Sequence, residues 1–241
     1  MMVRSRPAII KRINSLKEYI EVLDFIKTNN PNKFILYRGQ PEELSLLPAI
    51  ARKNPNSDTS DTERKMLDEF KRRSQIRINK TIDSDWDWLV FAQHYGLKTR
   101  LLDWTSNPLI GLWFSCYEKS KWNADGIVFV FVVKENYLLN KAKDKTPFER
   151  DITKVYKPQI NNERILAQAG WFTAHGFSPK TNRFIPLNES KIYSHQIKSI
   201  IIPRENKEQL IADLNILGFN HERLYPDVDG ICKQLNDDYN I

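Results

Sequence analysis

Residues 88–116 read WLVFAQHYGLKTRLLDWTSNPLIGLWFSC, and the fold turns on how this stretch divides. Trp88, Leu89 and Ala92 recur at helical spacing, Gln93 and His94 close the last turn, and Gly96 supplies the stop. Residues 99–102 are extended in character and place Arg100 and Asp103 on either side of two leucines, which predicts a strand or a tight corner. Thr105, Ser106 and Asn107 are all N-cap residue types, and Pro108 suits the first position of a helix, so a helix is predicted over 108–117. Its sequence is apolar nearly all round, as a buried helix requires. Backbone N–H groups and the positive dipole end at such a start can meet an anion. With His94, Arg100, Asp103 and Trp104 flanking it, this is the first candidate site. The competing structural reading is that Arg100 and Asp103 pair to hold the corner while Trp104 is core.

Working outward, residues 15–29 place Leu16, Tyr19, Ile20, Leu23 and Ile26 on one helical face, with Ser15 as cap and Glu18 three residues on. Residues 34–38 form an apolar run that reads as a central strand with Arg38 at its exit. There Gly39 permits a sharp turn or a close approach to a ligand, Gln40 adds a polar group, and the Arg38 guanidinium can hold a phosphate bidentately or pair with an acid such as Asp103. Residues 44–52 suggest a strand or extended arm broken by Pro48, an amphipathic helix starts at Asp61, and residues 81–87 form an acidic connection. Residues 126–133 are too continuously apolar for a surface ribbon and belong in the middle of a sheet. Residues 135–157 are polar and lysine-rich and read as an insertion or a lid. Residues 161–177 suggest two extended pieces around Gly170, with Glu163, Arg164 and Gln168 as polar members; a strand follows within 192–203 and a helix over 208–217, and a last helix ends the chain. The expectation is one α+β domain over residues 1–241, with a mixed central sheet, helices concentrated in the N-terminal half, and a basic arm at 1–14.

Composition narrows the function. The chain has 241 residues, 41% hydrophobic and 28% charged, as in an ordinary globular protein. No apolar run approaches the length of a membrane span and the N-terminus lacks the apolar core of a secretory signal, so a cytoplasmic location is expected. The two cysteines, Cys116 and Cys232, are expected to be buried thiols, and four scattered histidines give no metal-ligand spacing, so no metal is expected. A net charge of +7 admits a polyanionic partner such as nucleic acid. Because it is spread over an N-terminal cluster, the 71–80 segment and the 141–145 loop, solvated basic faces are the favoured reading. No phosphate-binding glycine loop, nucleophile elbow or HExxH motif is present.

The segment QHYGLKTRLLDWTSNPLIGLWFSC closely resembles the signature of the FRG domain, a bacterial and phage family named for a Phe-Arg-Gly motif. LYRGQ at 36–40, NERILAQAGWF at 162–172 and LYPDVDGICKQL at 224–235 extend the resemblance over nearly the whole chain, with Tyr37 in place of the motif's Phe and Lys98 where a proline is common. The family's association with phage and mobile elements implies a toxin or defence role. The order Arg38, then Thr105-Ser106, then Glu163 is similar to the layout of ADP-ribosyltransferases, which implies NAD as substrate and a protein or nucleic-acid acceptor. On that resemblance Arg38 holds the pyrophosphate, His94 meets a ribose hydroxyl, and Tyr37, Tyr95 or Trp104 stacks the leaving nicotinamide. Glu163 would steady an oxocarbenium-like ribose, with Asp103 and Gln168 as rivals for that place. The alternative expectation is a module that binds a nucleotide or nucleic acid without turnover.

Overall fold

The computed structural model describes residues 7–78, 81–149, 151–160 and 162–239. Residues 1–6 of the basic arm at 1–14, and Lys80 of the basic helical segment, lie outside the described residues. The elements run β1 (Ala8–Arg12), α1 (Leu16–Thr28), β2 (Phe34–Gln40), α2 (Ser60–Ser74), α3 (Asp85–His94), β3 (Leu101–Thr105), α4 (Pro108–Cys116), β4 (Gly126–Val133), β5 (Lys154–Tyr156), α5 (Glu163–Ala167), β6 (Gly170–Ala174), β7 (Phe177–Ser178), β8 (Arg183–Phe184), β9 (Ile197–Ile202), α6 (Lys207–Ile216), α7 (His221–Leu224) and α8 (Val228–Asp238). Seven strands form one sheet in the order β1-β9-β4-β2-β3-β6-β5, and β7 pairs with β8 separately. The β1–β9 pair is parallel and the other pairs of the large sheet are antiparallel. The architecture is therefore α+β around a mixed sheet.

The period-two alternation of β2 and β4 explains the apolar runs. Ile35, Tyr37, Val128 and Val130 enter the core under α1, α4 and α6, while Leu36, Ile127, Phe129 and Phe131 enter a second core on the opposite face with Tyr137, Leu187 and Tyr193. Both faces being covered, no polar alternation is needed. A third core joins α2 and α3 to β3, β5 and β6 through Leu67, Trp86, Leu101, Tyr156 and Phe172. Helix α4 lies so close to β2 that a Cβ on Gly39 would stand 1.9 Å from the Gly111 carbonyl oxygen. Gly39 thus serves helix–strand packing, and the close partner foreseen as a ligand is another part of the chain.

Local capping fixes the element ends. The Ser15 hydroxyl accepts from the Glu18 N–H, and Glu18 reaches back to the Asn14 N–H at 3.0 Å. Helix α3 begins at Asp85, inside the 81–87 stretch read from the sequence as an acidic connection, because Ser84 caps it by accepting from the Asp87 N–H. Gly96 sits at φ 89°, the left-handed conformation that its place after the helix demands. Three other expectations are corrected. Residues 44–52 form no strand; a short 3-10 turn, Ala49–Ala51, follows Pro48. The first extended piece of 161–177 is helix α5, which Asn162 caps by accepting from the Ile165 N–H. Cys232 is exposed on α8, whereas Cys116 is buried.

Residues 135–149 and 151–157 are anchored to the fold at buried points, Tyr137, Phe148, Val155 and Tyr156, with exposed chain between them. Trp86 Nε1 donates to the Asp144 carbonyl at 2.8 Å, Phe148 is buried in the third core, and β5 closes the sheet edge against β6. No helix among the described residues is long and apolar enough to cross a membrane.

Candidate functional site

Strands β2 and β3 are joined by a single register pair, Tyr37 with Thr105, and then part, although β2 stays paired with β4 along its whole length. Arg38 is the first residue past the split. Its Nη1 donates at 2.7 Å to the Asp103 carbonyl oxygen, which the parting of the strands leaves without a ladder partner, and lies 3.8 Å from the Asp103 carboxylate. A cavity of about 430 Å³ opens at this split. Its walls come from β2, the loop after it, the end of α3, β3, the C-terminal half of α4, α5 and β6.

The Arg38 side chain is only 16% exposed, and its Nε is buried without a partner. Burial lowers its pKa to about 10; Asp103 opposes that shift and Arg52 adds to it, and the group remains protonated at neutral pH. Arg52 and Arg164 also line the cavity, and neither forms an ion pair among the described residues. Lys121 is paired with Glu42 at 2.7 Å, and Glu118 accepts from the Ser120 hydroxyl. The acids Glu42 and Glu118 thus group with Lys121, and Asp103 is the carboxylate beside Arg38.

Asp103 is exposed and its Oδ1 accepts from Gln93 Nε2 at 2.8 Å. Gln93 is oriented in turn by the Thr99 hydroxyl, which donates to Gln93 Oε1. His94, half-buried on the cavity wall, has its pKa lowered first by burial and then by Arg164, with Asp227 opposing. Gln168 lines the cavity and donates from Nε2 to the Leu224 carbonyl at 3.0 Å, tying α5 to α7. Thr105 donates to the Gln168 carbonyl at 2.7 Å and accepts from the Asn107 N–H. Gln40 is buried and pins the loop after β2 by accepting from the Leu44 N–H.

Of the residues singled out in the sequence, Arg38, Gly39, Gln40, His94, Asp103, Trp104, Thr105 and Gln168 meet at this cavity. Four others do not line it. Arg100 is fully buried behind the sheet, where it pairs with Glu63. Tyr95 is 66% exposed beyond the end of α3. Ser106 is exposed and its hydroxyl points back to the Ala169 carbonyl. Glu163 is exposed at the first position of α5, a helix residue where a strand residue was expected. The N-terminus of α4 is also occupied by the protein itself, since Asn107 Oδ1 accepts the Leu109 N–H, so the cavity borders the other half of that helix. Trp104 is buried, donating Nε1 to the Thr173 hydroxyl, and the partly exposed aromatic wall comes from Phe114, Tyr117 and Trp171.

Sequence reasoning missed Arg52 and the site role of Arg164, and it missed Lys207. That lysine is wholly buried, donating to the Pro41 and Lys121 carbonyls at 2.7 and 2.9 Å, and so fastens two segments of the cavity wall together. Its polar neighbours Glu205, Asn206 and Glu208 gave no signal of burial. No cluster of three or more His, Cys, Asp or Glu side chains suited to a metal ion occurs among the described residues.

The class of protein defined here is an α+β domain whose central sheet splits to expose a cationic, aromatic-walled cavity. The chain contains an FRG domain, whose family model matches residues 33–124. The match spans β2 to the segment after α4 and includes Arg38, His94 and Asp103; the α5 and β6 walls lie beyond it. No curated protein and no solved structure matches the chain.

Proposed function

We propose that the cavity binds a nucleotide, with a phosphate on Arg38 and the base or another ring against Phe114, Tyr117 and Trp171. The observation that carries this reading is the guanidinium of Arg38: desolvated, with one nitrogen donor unpartnered, and in the field of a second arginine. Uncompensated buried donors and like charges are costly, and a phosphate relieves both at once through charge-assisted hydrogen bonds. About 430 Å³ falls within the range of small-molecule sites, roughly 300–1,000 Å³. Nucleic acid is the weaker ligand here, because the basic side chains Lys71, Arg72 and Arg73 of α2 are already paired with Asp85 and Glu69.

Calorimetric titration with ribonucleotides and NAD tests the reading. Binding is expected in wild type and weakened at least roughly tenfold in Arg38→Ala, since hydrogen bonds to charged groups contribute about 1.5–3 kcal/mol. Absence of binding at millimolar nucleotide would sink it. A second reading, cleavage of the glycosidic bond of NAD, is favoured by the exposed Asp103 carboxylate on the cavity beside Arg38. A carboxylate there suits stabilisation of a developing ribose cation. Nicotinamide release is then expected to disappear in Asp103→Asn and to persist in Glu163→Gln.

A further inference from the structure

Arg164 is another arginine of the cavity wall. Its Cζ lies 4.4 Å from the centroid of the Tyr225 ring, the shortest cation-to-ring distance found among the described residues. Tyr225 is held in its turn, its ring lying against Trp113, Phe114 and His221. Gln168, one turn on from Arg164, bonds the carbonyl of Leu224, the residue before Tyr225. Helix α5 and the turn after α7 are therefore locked together at the point where Arg164 projects. Arg164 has no carboxylate partner among the described residues, and its charge reaches His94 on the facing wall. A planar guanidinium fixed on a ring has little rotamer freedom left to lose, so it meets a ligand anion at low ordering cost.

We propose that Arg164, positioned by Tyr225, is a second phosphate-binding group, so that the site selects nucleotides carrying a diphosphate over monophosphates. This rests on the nucleotide reading above and specifies its ligand class. Arg38 is carried on β2 and Arg164 on α5, two walls of one cavity, so a ligand with two phosphates offers one to each guanidinium.

The test is calorimetry with the four common ribonucleoside monophosphates and their diphosphates, on wild type, Arg164→Gln, Tyr225→Phe and Tyr225→Leu, each checked for native circular dichroism. Wild type is expected to prefer the diphosphate of its nucleoside by roughly tenfold or more, the scale of an added charge-assisted hydrogen bond. Arg164→Gln should erase that preference. Tyr225→Phe should retain the preference because the ring remains, and Tyr225→Leu should reduce it. Binding of both series that depends on Arg38 but shows no diphosphate preference, or a preference that survives in Arg164→Gln, overturns this inference and leaves the nucleotide reading standing. No binding of either series overturns both.

Discussion

Arg38 and Arg100 both leave bulk solvent, and the protein treats them in opposite ways. Arg100 is fully buried, and its guanidinium is used on every side: Nε and Nη2 donate to Glu63 at 3.2 and 2.8 Å, Nη1 to the Pro147 carbonyl at 3.0 Å, and Nη2 also to the Ser60 hydroxyl at 3.0 Å. Its backbone N–H goes to the same glutamate. Arg38 keeps one strong internal bond, to the Asp103 carbonyl, and leaves Nε buried and unpartnered. A buried charge that is completely answered by the protein is a structural tie, because nothing remains for a ligand to offer. One that is answered in part leaves a donor that a ligand can still meet, its desolvation having already been met by folding.

The largest expected effect tests the Arg100 side. Glu63→Ala strands a fully buried guanidinium and should lower unfolding free energy by about 3–5 kcal/mol, read from urea denaturation. Arg38→Ala should cost far less stability, because it removes a partly unsatisfied charge along with its one good hydrogen bond. Equal losses in the two variants would break the comparison and make Arg38 a structural residue.

A pH measurement probes the ground between the two arginines. His175 is buried, its Nε2 lies 3.1 Å from the Thr173 hydroxyl, and its Nδ1 has no partner. Burial first, then Arg38 and Arg100, lower its pKa from 6.5 to about 3. The unfolded chain therefore binds a proton between about pH 6.5 and 3 that the folded chain refuses, and stability falls as pH drops through that window. Between pH 6.5 and 5, where most carboxylates stay ionised, His175→Gln should lose part of the wild-type slope in the urea midpoint. An unchanged slope would mean that the folded chain does not hold the imidazole neutral.

The sequence exposed some of this and concealed the rest, for physical reasons. The long apolar run of β4 and the cap-Pro start of α4 were legible because periodicity and capping are local properties. Arg38 was legible as a strand-exit arginine, and its pairing with Asp103 was one of the two readings open to it. The roles of Arg100 and Arg38 could not be told apart, since the partner of Arg100 is Glu63, which looks like any first-turn acid of an amphipathic helix. Glu163 was misplaced because Asn162, a strong cap, starts a helix of only five residues, too short for its period to show. Arg164 looked ordinary because its platform, Tyr225, lies 61 positions away in the chain.

The smallest expected effect guards against reading energy from distance. Glu69 accepts from Arg72 at 2.8 and 2.6 Å and from Arg73 at 2.5 Å, contacts at least as short as those joining Arg100 to Glu63. Those hydrogen bonds, Arg72 before Arg73, hold its carboxyl down to about 2. All three side chains nevertheless face solvent on α2, where water and salt screen the charges and the free side chains lose entropy in pairing. Glu69→Gln should leave the urea midpoint within error of wild type, and added salt should not separate the two. If Glu69→Gln destabilised the fold as Glu63→Ala does, contact length rather than desolvation would set the strength of these pairs. The contrast drawn between Arg38 and Arg100 would then lose its physical basis.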